Sequence, residues 1–191
     1  MSDSICLEWR GPLKIGNLPE SKNAVSDLSF CAVYIFFRCY EGGKTLVYVG
    51  KTQNFANRLA QHYGDFLSTL VGTLYRDDGS VFRPGGRPEY FRSIQSNKLD
   101  ETLSYAKADA YRTRFIYAKV NNERLKEVEA TIIERLKRNL SNKLYEMWNT
   151  GYHTNLVLNN LIVHDYSVLR NDLFTKEEWD QLPKILFGCQ M

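Results

Sequence analysis

Aromatic and β-branched side chains crowd residues 31–40 and again 45–49, and Glu41-Gly42-Gly43-Lys44 separates the two runs. Such runs suit pleated strands, and the glycines supply the positive φ of a tight hairpin turn. Gly50 ends the second strand. Thr52 or Asn54 then offers an N-cap oxygen to a helix running to about Tyr63, with Phe55, Leu59 and Tyr63 at four-residue spacing on its inner face. Residues 112–120 predict a third strand, and Asn121-Asn122 turns the chain into a long helix over about 123–140. Leu125, Val128, Ile132, Ile133, Leu136 and Leu140 form one apolar stripe on that helix. Thr175-Lys176-Glu177-Glu178 has the spacing of a capping box and predicts a short terminal helix.

The remaining stretches are less patterned. Residues 1–30, punctuated by Gly11-Pro12, Gly16 and Pro19, read as an irregular arm. Residues 64–104 hold a short helix around 65–75, then a long loop from Asp77-Asp78-Gly79 to Arg83-Pro84-Gly85-Gly86-Arg87-Pro88. The predicted class is α+β: a small three-stranded antiparallel sheet flanked by helices, occupying 31–150. The arm at 1–30, the insertion at 64–104 and an extension at 151–191 decorate it. A chain of 191 residues that is 43% hydrophobic has enough apolar surface for one core of this size.

Glu129 breaks the pattern of the long helix. It falls in the middle of the apolar stripe, whereas Glu123, Glu127 and Glu134 fall on the wet side. A carboxylate on a buried face is costly unless it is paired, hydrogen-bonded or bound to a metal. Two readings follow from the helix alone: a metal ligand, or the partner of an internal cation.

The formal net charge is only +3, which permits a nucleic-acid partner without demanding one. Residues 105–143 hold ten Lys/Arg against five Asp/Glu, a bias that also suits a solvated helix face. Residues 76–98 combine Arg76, Arg83, Arg87, Arg92 and Lys98 with Phe82, Tyr90 and Phe91. Basic and aromatic side chains on a loop suit phosphate contact and groove insertion, and equally a plain solvated loop. Cys6, Cys31, Cys39 and Cys189 form no CxxC pair and have no histidine at zinc-finger spacing, so they read as reduced thiols of a cytoplasmic protein. The first residues show no apolar run of a signal peptide, and Cys31 to Phe37 is too short to span a bilayer, so no membrane association is expected.

The hairpin gives Glu129 its company. Its strands contain Ala32-Val33-Tyr34 and Tyr48-Val49-Gly50, and Lys51 follows at once. Arg58 comes ten residues after Tyr48, and His62 one helical turn later on the same rim as Asn54. A hairpin, a helix with Arg, a third strand and a helix with Glu together resemble the GIY-YIG nuclease family over roughly residues 31–142. Only the tyrosines and the second glycine match the two tripeptides literally.

The resemblance implies a Mg²⁺-dependent DNA endonuclease, with Mn²⁺ as a substitute ion. By that likeness Glu129 holds the metal and Arg58 steadies the scissile phosphate. Tyr34 and Tyr48 line the site and orient or deprotonate the attacking water. His62 relays or accepts a proton, and Lys51 lowers the pKa of a neighbouring tyrosine or water. The asparagine that usually follows the glutamate helix is Asn142 by distance, with Asn149 as rival. Arg112 and Arg114, with Lys107 and Lys119, extend the basic surface for double-stranded DNA.

The chain's size, its Arg-x-x-x-His helix and the lack of a separate DNA-binding module look most like the type II restriction branch. That branch implies a homodimer, a cognate DNA methyltransferase and a prokaryotic or phage setting. The competing expectations are a structure-specific phage, mobile-element or repair nuclease, and a catalytically idle DNA-binding module.

One geometric condition follows from the hairpin itself. A two-residue Gly42-Gly43 turn would pair positions summing to 85 and put Tyr34 and Tyr48 on opposite faces. Both line one site only if the connection is odd-numbered or bulged.

Overall fold

The computed structural model describes residues 4–68, 72–139, 145–149, 156 and 162–187. Leu140, the last position of the predicted apolar stripe, and Asn142 lie outside them. The chain is mixed α+β, and its strands and helices follow in the order β1 (Ile5–Glu8), β2 (Arg10–Leu13), α1 (Lys22–Ser26), β3 (Ala32–Cys39), β4 (Thr45–Thr52), α2 (Phe55–Ser68), β5 (Leu74–Tyr75), β6 (Val81–Arg83), α3 (Arg87–Gln95), α4 (Leu99–Arg112), β7 (Arg114–Lys119), α5 (Leu125–Asn139), β8 (Tyr145–Met147), β9 (Ile162–Asp165) and α6 (Lys176–Phe187).

The main sheet has five strands in the order β2-β7-β3-β4-β8. Its three central strands are antiparallel, with β3 pairing β4 on one side and β7 on the other. Two edges add to what the sequence pattern predicted. β2 joins β7 antiparallel, and β8 joins β4 parallel. The first thirty residues are therefore not an irregular arm. They supply β2 to the main sheet and β1 to a parallel pair with β9, and they bury Leu7 and Trp9 in the core. Strands of four residues are too short for their alternation to stand out in sequence.

The β3–β4 connection is the three-residue loop Glu41-Gly42-Gly43. Tyr40 N–H donates to Lys44 O and Gly43 N–H to Tyr40 O, both at 2.9 Å, and Gly43 takes φ +77°, where a side chain would be strained. This odd loop sets the register Tyr34↔Gly50 and Phe36↔Tyr48. Tyr34, Phe36, Tyr48 and Gly50 consequently share one face, and Val33, Ile35, Phe37, Val47, Val49 and Lys51 share the other.

Each face carries its own core. The tyrosine face packs Tyr34, Phe36, Phe115 and Tyr117 against Phe55, Leu59 and Tyr63 of α2 and Ala110 of α4. The opposite face packs Val33, Ile35, Phe37, Val47 and Val49 against Val128, Ile132, Ile133 and Leu136 of α5, together with Leu7, Trp9 and Leu182. The Trp9 indole N–H also donates to His164 Nδ1 at 2.9 Å.

The expected loop over 76–98 is instead a β5–β6 hairpin followed by α3, and α4 continues through residue 112. α3 starts at Arg87-Pro88, where proline fits the first helical turn. α4 escapes a hydrophobic-periodicity reading because its inner face is Thr102, Ala106, Asp109 and Ala110, while Leu103 and Tyr111 face solvent. α6 has the expected capping box: Glu178 N–H donates to Thr175 Oγ1 at 3.2 Å, and Thr175 N–H donates to Glu178 Oε2 at 2.9 Å. Among the described residues no helix is long and apolar enough to cross a membrane.

Candidate active site

The hairpin register and α2 together build a compact polar cluster on the tyrosine face. Asn54 caps α2, its Oδ1 accepting from the Asn57 N–H at 2.9 Å, and this fixes where the helix starts against β4. Arg58 and His62, four residues apart, then project from one side of α2 toward Tyr34. Arg58 Nε donates to the Tyr34 oxygen at 3.0 Å, and the same oxygen lies 2.8 Å from His62 Nε2. A terminal Arg58 nitrogen donates to Gln61 Oε1 at 3.1 Å, and the guanidinium also interacts with the Tyr48 phenol. The arginine is thus held between two phenols from paired strands.

Gly50 makes this packing feasible. The Tyr34 ring lies over its backbone so closely that an added Cβ would meet the phenol oxygen at 2.3 Å. The aromatic rings of Tyr34 and Tyr48 have centroids 6.2 Å apart, and each also meets His62 edge-on.

Burial sets the protonation states. Desolvation pushes the Tyr34 phenol well above its ordinary value, so its O–H persists at neutral pH. Desolvation, reinforced by the nearby Arg58 and Arg38 charges, lowers His62 to about 3. The imidazole is therefore neutral, and the cluster is satisfied when Arg58 donates to Tyr34 and Tyr34 donates to His62 Nε2. Tyr34 is fully buried, whereas Tyr48 is half-buried.

Lys51 and Glu129 form a second cluster on the other face. They are in ion-pair contact, with Lys51 33% and Glu129 17% exposed at the side chain. The anomalous carboxylate of α5 thus has a cation partner, a strand lysine. Glu129 and Arg58 do not face each other across the phenols. Residues 50 and 51 point to opposite faces, so Arg58 and Glu129 flank the same strand segment, Tyr48 to Lys51, from its two sides.

Asn142 lies outside the described residues. Asn149, its rival, is a backbone clamp: its Oδ1 accepts from Val49 N–H at 2.9 Å and its Nδ2 donates to Val49 O at 2.8 Å. Trp148 N–H also donates to Val47 O at 2.9 Å, so residues 148 and 149 extend the β8 ladder along β4.

Sequence reasoning missed an aromatic cavity of about 630 Å³ beside Arg58. Its lining includes Phe36, Arg38, Tyr48, His62, Asp109 and Trp148. Arg38 and Asp109 are 2% and 1% exposed. Arg38 Nε donates to Thr113 Oγ1 at 2.7 Å, a terminal nitrogen reaches Asp109 Oδ2 at 3.4 Å, and Tyr40 donates to Asp109 Oδ1 at 2.9 Å. A charge inside the otherwise apolar β3 run was the one available signal. It read only as the end of that run.

The expected DNA-contacting residues divide. Arg76, Arg87, Arg92 and Lys98 are exposed. Arg83 is buried, Arg112 pairs with Asp77, and Arg114 pairs with Glu178 at 3.0 Å with its side chain only 12% exposed. Arg83 and Arg114 are thus largely covered by the fold, unlike the exposed cations expected of them.

Among the described residues no three His, Cys, Asp or Glu side chains come together as a metal site. Glu129 alone offers one hard oxygen donor group. That fits an ion such as Mg²⁺, which keeps most of its waters, provided the Lys51 ammonium yields its place. No family model, curated protein or solved structure matches the chain.

Proposed function

We propose that this protein is a divalent-metal-dependent DNA endonuclease with a GIY-YIG-like site, and that its antiparallel trio β7-β3-β4 is the core of that fold. The observation that carries the reading is the Arg58 guanidinium, oriented by the phenols Tyr34 and Tyr48 above the side-chain-free Gly50. A planar cation fixed in this way suits the non-bridging oxygens of a phosphodiester, whose charge grows during hydrolysis.

The two phenols divide the work. Tyr34 is sealed from solvent and its proton is firmly held, so it positions Arg58 through its hydrogen bonds. Tyr48, half-buried and on the cavity wall, is the phenol that meets an attacking water. His62, neutral and a weak base at about 3, keeps Tyr34 oriented. Glu129 is the residue that would hold Mg²⁺ or Mn²⁺, and when bound the ion would supply Lewis-acid stabilisation of the phosphate and a more acidic water. Lys51, on leaving Glu129, becomes a second cation at the end of β4.

Within this reading the chain is a type II restriction enzyme acting as a homodimer on double-stranded DNA in the cytoplasm, with a companion methyltransferase. Arg76, Arg87, Arg92 and Lys98 supply its exposed basic surface. One observation favours a rival, the catalytically idle nucleic-acid-binding module: Glu129 is neutralised by Lys51 on the face opposite Arg58.

Incubating purified protein with unmethylated phage DNA, in Mg²⁺ or in EDTA, separates the readings. Discrete fragments in Mg²⁺ alone support restriction, random or branch-specific nicks support the structure-specific nuclease, and retention of DNA without cleavage supports the idle module.

A further inference from the structure

The cavity beside Arg58 shares Tyr48 and His62 with the phenol–arginine cluster, so its occupant is a close neighbour of whatever Arg58 holds. Its volume, about 630 Å³, falls in the range of about 300–1,000 Å³ usual for enclosed organic ligands. Phe36, Tyr48, Phe66, Tyr75 and Trp148 line it with aromatic rings, beside the His62 imidazole. Asp65, Thr73 and Glu146 add polar side chains to this lining, beside the buried Arg38–Asp109 pair, in which Asp109 already accepts from Tyr40, Arg38 and the Tyr75 N–H. The Arg38 guanidinium stacks 4.3 Å from the Phe66 ring centre and 5.1 Å from that of Trp148, adding a flat cationic surface.

This chemistry selects among ligands. An aliphatic chain has no polar edge for the polar side chains of this lining, and a sugar has no flat face for the rings. A nucleobase has both: a π face for stacking and an edge of donors and acceptors. We infer that the cavity is a nucleobase pocket, which takes one base turned out of the strand whose phosphate Arg58 holds. Enzymes that extrude a base enclose it in this manner, between aromatic walls with polar groups at its edge. The inference rests on the proposed phosphate role of Arg58 and names what lies beside that phosphate.

The test needs neither metal nor a known recognition sequence. In EDTA, the protein is titrated with a short single-stranded deoxyoligonucleotide and with a deoxyribose-phosphate oligomer of equal length that has no bases. The wild type is expected to bind the base-bearing strand tighter by about tenfold. Trp148→Ala should lose that preference and keep its affinity for the abasic oligomer.

Gly72→Trp gives a second route, because Gly72 lines the cavity and a Cβ built there meets nothing within 4 Å. Matching thermal unfolding curves establish that both variants fold. A wild type without base preference, or folded variants that both retain it, overturns the nucleobase pocket. Arg58→Ala should weaken both oligomers alike. If it changes neither, the phosphate role fails instead, whatever Trp148 does. Failure of the wild type to bind either oligomer overturns both.

Discussion

The phenol of Tyr34 lies directly across the backbone of Gly50, where an added Cβ would come within 2.3 Å of its oxygen and 2.4 Å of Cζ. The contact explains why a tyrosine on one strand and a glycine on the next belong together: the register pairs them, and the ring needs the space. Gly50→Ala is therefore expected to destabilise the fold by about 1–3 kcal/mol, through overpacking. In a Tyr34→Ala background most of that cost should vanish, because the ring that clashes is gone. Urea midpoints of the four proteins check this; additive effects would mean that the two residues do not press on each other.

Acid should weaken the fold through His62. Its folded value is about 3, against about 6.5 in an unfolded chain. Between those values the unfolded state binds a proton that the folded state refuses, so stability rises with pH through this window and is complete above about 6.5. His164, lowered by burial to about 4, acts in the same direction. Removing His62 by His62→Gln should flatten the slope of unfolding free energy between pH 4 and 6 by at most about 1.4 kcal/mol per pH unit. An unchanged slope would show that the imidazole is not held neutral.

Asn149 secures Val49, between Tyr48 and Gly50, with one accepted and one donated hydrogen bond. Asn149→Asp keeps the acceptor but sets a carboxylate oxygen against the Val49 carbonyl. It should cost about 1–3 kcal/mol and reduce cleavage, whereas Asn149→Gln, which keeps both functions on a longer arm, should be milder. Equal stability of the Asp variant and the wild type would remove the clamp from the account.

On the proposed reading, a divalent ion would compete with Lys51 for the Glu129 carboxylate. Calorimetric titration with Mn²⁺ should give several-fold tighter binding to Lys51→Ala than to the wild type, and Glu129→Gln should abolish it. If Lys51→Ala binds no more tightly, the ion does not displace the ammonium.

Much of this arrangement was legible in the sequence, and the rest was hidden for physical reasons. The hairpin, the capped helix with Arg58, the third strand and the carboxylate within an apolar stripe all follow from local periodicity and turn chemistry. The need for an odd loop followed from period-two geometry, and the Glu41-Gly42-Gly43 connection meets it. The same parity fixes the side of Lys51, yet the sequence alone did not place Glu129 beyond the sheet from Arg58. That placement depends on the face against which α5 packs, a tertiary choice.

α4 was missed because small and polar residues form its buried face. β1 and β2 were missed because four-residue strands carry too little pattern. Arg83 and Arg114 resembled surface cations because side-chain burial is decided by neighbours distant in sequence, such as Glu178. The aromatic cavity draws Phe36, Asp109 and Trp148 from three separated stretches, and no local motif announces it.

The central claim is that Arg58 and Glu129, on the two sides of one strand, serve a single phosphodiester. Single-turnover cleavage of phage DNA in Mg²⁺ by wild type, Arg58→Ala and Glu129→Gln tests it most directly, with melting curves to confirm folding. The account predicts cleavage by the wild type that EDTA stops, and losses of at least about 100-fold in each folded variant. Wild-type rates in either variant, or no metal-dependent cleavage by the wild type, would contradict it.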